Sequence, residues 1–315
     1  MKKARKKRGC WPWLALGLVV LGLAVFATYR WAVGSQSVAT LDRIDALFGP
    51  DEAVARGEFA FGDDPAQRLY VFSPAGVPDD GARPVVVFVH GGGWQSGDPV
   101  DYGFAGRRLA EMGYVAVVPG YRLQENGAFP AMLEDGAAAM RWTADNIARF
   151  GGDPDRIYAS GHSAGAYNVV MLALDPQWLG RENLDTSVLK GVIGLAGPYD
   201  FLPLDGPSVE IAFGQVPDPE ITQPVNFARG DAPPLLLLTG TLDTVVEPRN
   251  SRSLASALEQ AGGAVQLREF DGMDHVDILT ALARPFSRDM RVIDAFGAFL
   301  PDPAAPSVPV QRESR

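Results

Sequence analysis

Cysteine and histidine are both scarce in this chain. There is one cysteine, Cys10, and there are three histidines. A single cysteine cannot close a disulfide within the chain, and so few histidines leave no set of ligands for a zinc cage. We therefore expect no structural disulfide and no metal site.

Basic side chains are also scarce once the amino terminus is set aside. Residues 1–8 hold six of the 28 lysines and arginines and no acid, so the remainder carries 22 basic groups against 38 acidic ones. Nucleic-acid binders need a basic face that displaces counterions from phosphates, so this balance argues against that class of partner.

The length and composition are those of one large globular domain with short appendages. Of the 315 residues, 47% are hydrophobic and 21% are charged, and no repeat of fixed period is present. A chain of this size can bury a large core. The boundaries that we expect are a basic and apolar segment over 1–35, one domain over 36–300 and a disordered proline-rich tail over 301–315.

The first segment has the pattern of a membrane anchor. Residues Gly9–Tyr29 carry no charge, and 21 helical residues span about 31 Å, the thickness of a bilayer core. Basic residues precede this run, which predicts a cytoplasmic amino terminus, bilayer contact through residues 9–33 and the domain on the extracytoplasmic side, the periplasm in a Gram-negative cell. A cleaved signal peptide, with Ala32 and Gly34 before the cut, is the alternative and would give a secreted protein.

The domain itself alternates short apolar runs with amphipathic helical segments. Runs such as PVVVFVH and PPLLLLTG do not alternate, which is typical of strands covered on both faces. We predict a mostly parallel α/β sheet with its site at the carboxyl ends of the strands. Helices are predicted over Pro130–Phe150 and Ser287–Phe299. The predicted strands are Arg68–Ser73, Pro84–His90, Tyr114–Pro119, Arg156–Ser160, Leu189–Leu195, Pro234–Thr239 and Val265–Phe270.

A nucleophile motif follows one of these strands. The sequence GHSAG, residues 161–165, lies between an apolar strand and the helical run AYNVVMLALD. A serine on such a tight strand-to-helix turn presents its hydroxyl, so Ser163 is the candidate nucleophile. A serine that only caps the helix after a glycine turn is the structural alternative.

Three consecutive glycines close another strand, in HGGGW at residues 90–94. Amides without neighbouring side chains can approach a ligand closely, so Gly92 and Gly93, together with the amide of Ala164, can donate to a tetrahedral oxyanion. A flexible hinge is the alternative. The residues that support the two motifs are His90, Gly91, Trp94, Gly161 and Gly165.

The base and the acid follow from position. His90 begins the glycine loop and His162 is the neighbour of Ser163, so His275 is the remaining candidate base. An acid must orient its imidazole. Asp243, after the strand PPLLLLTG, fits best, and its rivals are Glu247, Asp271 and Asp274.

Taken together, the motifs resemble the α/β-hydrolases, and within them carboxylesterases related to hormone-sensitive lipase and to bacterial kynurenine formamidase-like and feruloyl-esterase-like enzymes. The resemblance covers about Phe61 to Phe299 and includes HGGGWQSGD, YRL and GTLDTVVEP in the family's order. It implies an α/β-hydrolase fold, a mostly parallel sheet of about eight strands flanked by helices, here behind a single transmembrane helix. It also implies oxyanion amides at Gly92 and Gly93 and an acid at Asp243.

The function expected is a serine hydrolase that cleaves carboxylic esters of small or moderate acyl groups without a cofactor. Residues 199–231 are rich in proline and glycine and do not predict the large helical cap of many lipases. An amidase or formamidase, an envelope transacylase and a non-enzymatic binding module on a membrane are the alternatives. The oligomeric state is not predicted. Candidate pocket residues are Trp94, Tyr121, Tyr199, Phe201 and Phe213.

Overall fold

The computed structural model describes residues 38–49, 53–76, 82–287 and 289–305. In this part of the chain eight strands form one sheet, in the spatial order β1-β2-β4-β3-β5-β6-β7-β8. Strand β2 pairs antiparallel with both of its neighbours, β1 and β4, and all the other strand pairs are parallel. The strands are β1 (Ala53–Ala60), β2 (Arg68–Pro74), β3 (Arg83–Val89), β4 (Val115–Pro119), β5 (Gly152–His162), β6 (Leu189–Leu195), β7 (Leu235–Gly240) and β8 (Val265–Phe270).

The predicted mostly parallel sheet of about eight strands is confirmed, and so are the seven strands assigned from the sequence. Strands β6 and β8 have the predicted bounds, whereas β5 begins four residues earlier than Arg156, at Gly152. Strand β1 was missed because it lies at the edge of the sheet with mostly exposed side chains. Its pairing with β2 is also interrupted at Gly57, whose φ is 129°.

Nine α-helices flank the sheet in the described residues. The predicted helix over 130–150 ends earlier, at Asn146, and continues as a 3₁₀ turn over Ile147–Phe150. The last helix begins at Arg291 and not at Ser287. The helices are α1 (Val38–Phe48), α2 (Gly103–Glu111), α3 (Ala131–Asn146), α4 (Ala164–Leu174), α5 (Pro176–Arg181), α6 (Pro207–Phe213), α7 (Arg249–Gln260), α8 (His275–Thr280) and α9 (Arg291–Phe299).

Both faces of the sheet are covered, which explains the apolar runs without alternation. In β3, Val85, Val87 and Val89 face α3 to α7, while Val86 and Phe88 face α1, α2, α8 and α9. Each such buried side chain stabilises the fold by about 1.5–3 kcal/mol. Helix α4 is buried along all 11 residues, and this packing fixes its amino terminus next to the carboxyl end of β5.

The predicted anchor over Gly9–Tyr29 lies outside the described residues. Within the ranges that are described, no helix combines the length and the apolar character needed to cross a bilayer. The predicted tail is described only over 301–305, where the main-chain oxygens of Pro301, Pro303 and Ala305 accept hydrogen bonds from Tyr114, Arg83 and Arg156. This first part of the tail therefore packs against the domain.

Helix α1 is fixed to the domain by a buried carboxylate. Asp45 is fully buried and accepts hydrogen bonds from Arg107 Nε at 2.8 Å and from the backbone N–H of Arg284 at 2.7 Å. Asp42, one turn earlier, accepts from the same Arg107 guanidinium at 2.7 Å. A buried charge is tolerated when it is paired and hydrogen-bonded in this way.

Candidate active site

Ser163 lies alone between β5 and α4, on a turn with unusual backbone geometry. Its φ of 54° and ψ of −121° fall outside the regions that side-chain-bearing residues normally occupy, and its N–H donates to the Leu195 carbonyl at 2.8 Å. The turn also requires glycine on both sides: a β-carbon at Gly161 would overlap the main chain of Gly165, and one at Gly165 would overlap the carbonyl oxygen of Val89. The sequence GHSAG thus forms the predicted tight elbow.

The glycine turn after β3 packs directly against this elbow. A β-carbon at Gly91 would lie 3.3 Å from the Ser163 β-carbon, and one at Gly92 would overlap the Ser96 carbonyl oxygen. Gly92 and Gly93 have φ values of 119° and 59°, which glycine adopts without strain. The turn is therefore built for close backbone approach.

Three amide donors remain available around this junction. Among the residues that the structure describes, the N–H groups of Gly92, Gly93 and Ala164 donate no hydrogen bond. Ala164 is the first residue of α4, where the helix dipole adds positive potential. Such unpaired donors suit an anionic oxygen.

His275 and Asp243 are joined by a direct hydrogen bond. His275 Nδ1 lies 2.8 Å from Asp243 Oδ2, and the two residues are only 9% and 3% exposed. The other carboxylate oxygen, Oδ1, accepts from the N–H groups of Val245 and Val246 at 2.9 and 2.8 Å. Because the carboxylate can only accept, Nδ1 of neutral His275 carries the hydrogen and Nε2 is left as a proton acceptor.

The rival acids are all engaged elsewhere. Glu247 pairs with Arg249 at the surface, and Asp271 accepts from Thr241. Asp274 is the N-cap of α8 and accepts from two backbone N–H groups of its first turn. The structure thus brings Asp243, and none of these three, to the imidazole of His275.

The other two histidines are buried and neutral in character. Burial lowers the pKa of His90 to about 4, and its ring stacks on Tyr121 at a centroid distance of 4.5 Å. Burial and the neighbouring His275 lower the pKa of His162 to about 3. His162 Nε2 lies 2.9 Å from the main-chain oxygen of His275, a contact that the sequence does not predict.

The candidate pocket residues separate into two groups. Trp94, Phe201 and Phe213 form an aromatic wall behind the glycine turn, and the ring of Trp94 contacts that of Phe213 at 4.8 Å. Tyr121 and Tyr199 belong elsewhere: the first stacks on His90, and the second is buried beside Gly194 and Gly197, near the end of β6.

Tyr167 completes this aromatic wall and was missed from the sequence. Its ring contacts Trp94, Phe201 and Phe213 at centroid distances of 5.4, 5.9 and 5.3 Å. Tyr167 follows Ser163 by four residues, and its N–H donates to the Ser163 carbonyl at 3.1 Å across the first turn of α4. That spacing is the signal that could have identified it.

A short segment covers the glycine turn. Ser208, in α6, has its β-carbon 3.5 Å from the position that a β-carbon at Gly93 would take. Between residues 199 and 231 the structure has only α6 and the 3₁₀ turns Pro219–Thr222 and Pro224–Phe227, so the absence of a large helical cap in this described segment matches the expectation. No cluster of three or more metal-ligating side chains occurs within the described ranges.

A parallel sheet flanked by helices, with a serine elbow and a histidine–aspartate pair at the strand ends, defines an α/β-hydrolase fold. A solved structure with this architecture is a thermophilic esterase of Thermogutta terrifontis with propionate bound, which superimposes with a TM-score of 0.66 at 24% identity over 82% of this chain and 99% of that one. Residues 71–258 match the model of the BD-FAE family, and the chain belongs to that family.

Curated relatives are named as esterases. An isoprenylcysteine alpha-carbonyl methylesterase of Arabidopsis thaliana is 29% identical over 246 residues, which cover 71% of this chain and 57% of the relative. Esterase LipC of Mycobacterium tuberculosis is 31% identical over 242 residues, which cover 70% of this chain and 60% of the relative. The chain thus spans little more than half the length of these relatives.

Proposed function

We propose that this protein is a carboxylic ester hydrolase in which Ser163 is the nucleophile, His275 the general base and Asp243 the orienting acid. The observation that carries the proposal is the 2.8 Å bond between His275 Nδ1 and Asp243 Oδ2, because it leaves Nε2 of His275 as the proton acceptor that a serine nucleophile needs. Membership of the BD-FAE family and the names of the curated relatives support the same activity.

The reaction proceeds in two stages. Ser163 Oγ attacks the ester carbonyl as Nε2 of His275 takes its proton, and the tetrahedral oxyanion accepts hydrogen bonds from the free amides of Gly92, Gly93 and Ala164. The carbon–oxygen bond to the alcohol then breaks, and His275 returns the proton to the leaving oxygen. Water repeats the sequence on the acyl-enzyme, releasing the carboxylic acid and restoring Ser163.

The aromatic wall supports a small acyl group. Trp94, Tyr167 and Phe213 are at most 3% exposed and fill the space behind the glycine turn, whereas Phe201 is only partly buried. A long acyl chain would have to displace packed rings, at a cost of about 1–3 kcal/mol. We therefore place short acyl esters among the preferred substrates.

For location, we propose that the catalytic domain is displayed outside the cytoplasm, tethered to the bilayer through residues 9–33. The support is the uncharged run of residues 9–29 behind six basic side chains. Proteinase treatment of intact spheroplasts tests this, because an extracytoplasmic domain is digested while cytoplasmic markers survive. Protection of the domain until lysis would contradict it.

The test of the activity is Ser163→Ala in the full chain, assayed with p-nitrophenyl acetate. We expect turnover to fall on the order of 10⁶-fold, as when the nucleophile of a triad is removed. Ser187→Ala, at an exposed serine, is the matched control and should behave as wild type. Equal turnover in Ser163→Ala would refute the proposal.

Two further assays separate the alternative activities. Hydrolysis of an N-formyl aromatic amine faster than of a short ester would identify an amidase, and acyl transfer to an added sugar alcohol in preference to water would identify a transacylase. A fluorophosphonate probe should label the wild type and not Ser163→Ala. A binding module without an activated serine would remain unlabelled in both.

A further inference from the structure

His162 precedes Ser163 and has no part in the two-stage reaction, yet it contacts the first residue of α8, which is the proposed base His275. Its Nε2 lies 2.9 Å from the main-chain oxygen of His275, 113 residues away in sequence. The two imidazole rings lie 4.7 Å apart between centroids. The contact is buried, since His162 is 5% exposed.

The direction of this hydrogen bond defines the state of His162. A carbonyl oxygen only accepts, so Nε2 must be the donor and must carry the hydrogen. The burial that holds the pKa of His162 near 3 keeps the ring neutral near neutral pH. A neutral ring matters here because His275 becomes an imidazolium during catalysis, and a second cation at 4.7 Å would oppose it.

The chain around His275 is also held by the turn after β7, which carries Asp243. The N–H of Leu242 donates to the Met273 carbonyl at 2.9 Å, and Asp243 binds the imidazole itself. His162 supplies the matching contact from the elbow. The start of α8 is thus hydrogen-bonded both to the segment that bears Asp243 and to the segment that bears Ser163.

We infer that His162 is a positioning residue, which sets the distance between His275 and Ser163 by donating Nε2–H to the His275 carbonyl. The inference rests on the proposed esterase function and adds to it, because it assigns a role to a side chain that no step of the reaction uses. A displacement of about 1 Å in a catalytic group can cost on the order of 100-fold in rate.

The experiment compares three substitutions in the full chain. The amide nitrogen of Gln in His162→Gln reaches about as far as the imidazole Nε2, whereas the shorter Asn in His162→Asn reaches only as far as Nδ1. His162→Phe keeps the ring volume without a donor. We expect His162→Gln to retain kcat within about fivefold, and His162→Asn and His162→Phe to lose about 10- to 100-fold in kcat with KM nearly unchanged.

A spectroscopic measurement separates positioning from general stability. The proton NMR signal of the His275 Nδ1–H that is bonded to Asp243 should remain sharp in His162→Gln and broaden or shift in His162→Asn, whatever the melting temperatures. Equal kcat in the Gln and Asn variants would overturn the inference, and this pair decides the question even if the Phe variant does not fold.

Ser163→Ala, assayed in parallel, keeps the two hypotheses apart. If Ser163→Ala retains full turnover, the proposed function fails. If Ser163→Ala is inactive while His162→Asn and His162→Phe retain the wild-type kcat, the esterase proposal stands and the positioning role of His162 is refuted.

Discussion

Replacing Asp243 with asparagine should convert the base to its inactive tautomer. In the wild type, Oδ1 of Asp243 accepts from the amides of Val245 and Val246 at 2.9 and 2.8 Å, and Oδ2 faces His275 at 2.8 Å. In Asp243→Asn, the side-chain oxygen must stay with the two amide donors, so the NH₂ group turns toward Nδ1 of His275. The imidazole then accepts at Nδ1 and carries its hydrogen at Nε2.

A histidine protonated at Nε2 cannot take the proton of Ser163. The loss of a correctly oriented base in a serine triad lowers kcat about 10⁴-fold, which corresponds to about 5.5 kcal/mol of transition-state stabilisation. The assay is steady-state hydrolysis of p-nitrophenyl acetate, with thermal unfolding measured on the same sample to confirm that the variant is folded.

Glu247→Gln is the matched control for this substitution. It makes the same change from carboxylate to amide four residues away, at an exposed side chain that pairs only with Arg249 in the described contacts. We expect its kcat to equal that of the wild type. If Asp243→Asn stays within tenfold of wild type, or if Glu247→Gln is the variant that loses activity, the assignment of the acid is wrong.

Two other changes test the pocket and the buried histidines. Phe201→Ala should open the exposed side of the aromatic wall and raise the ratio of kcat/KM for p-nitrophenyl octanoate to that for the acetate by about tenfold. The reason is that one or two extra methylenes become buried, and each is worth about 0.8 kcal/mol. The control is Phe59→Ala, in a separate aromatic cluster with Trp142, which should leave this ratio unchanged. An unaltered ratio in Phe201→Ala would show that this ring does not limit the acyl group. Below about pH 6.5 the unfolded chain protonates histidines that the native state keeps neutral, because burial holds the pKa of His90 near 4 and that of His162 near 3. The stability contributed by both is present above pH 6.5 and is lost as pH falls toward those values, by up to about 1.4 kcal/mol per pH unit for each histidine. Urea unfolding at pH 7, 6 and 5 should show this slope, and His162→Gln should show about half of it; a flat stability over this range would contradict the neutral assignments.

The parts of the fold that sequence predicts well are those with strong local signals. Strands β6 and β8 were predicted with their observed bounds because turn residues punctuate them on both sides. Strand β1 and helix α1 carry no such signal, since β1 is exposed at the edge and α1 gains much of its attachment from distant arginines. Pairing between residues that are far apart in the chain cannot be predicted from the local pattern of a single sequence.

The candidate site likewise has residues that local sequence signals predict and residues that only spatial contacts identify. Ser163 and the glycine turn can be predicted from the sequence because their unusual backbone angles require glycine at fixed positions in each motif. His275 was reached by elimination, and Asp243 could be separated from its rivals only by contacts. The role inferred for His162 could not be predicted from the sequence, because its hydrogen-bond partner is a main-chain oxygen. Every residue has such an oxygen, so the residue type at position 275 gives no sign of the contact.

The positive φ of Ser163 has a consequence for how this chain can change over time. A backbone forced into that region stores about 1–3 kcal/mol, and glycine is the residue that relieves it most fully. Replacement of Ser163 with glycine should therefore give a more stable protein that lacks the proposed nucleophile. Stability alone would favour glycine at position 163, and the strain at Ser163 is the cost of keeping the hydroxyl that the proposed reaction needs.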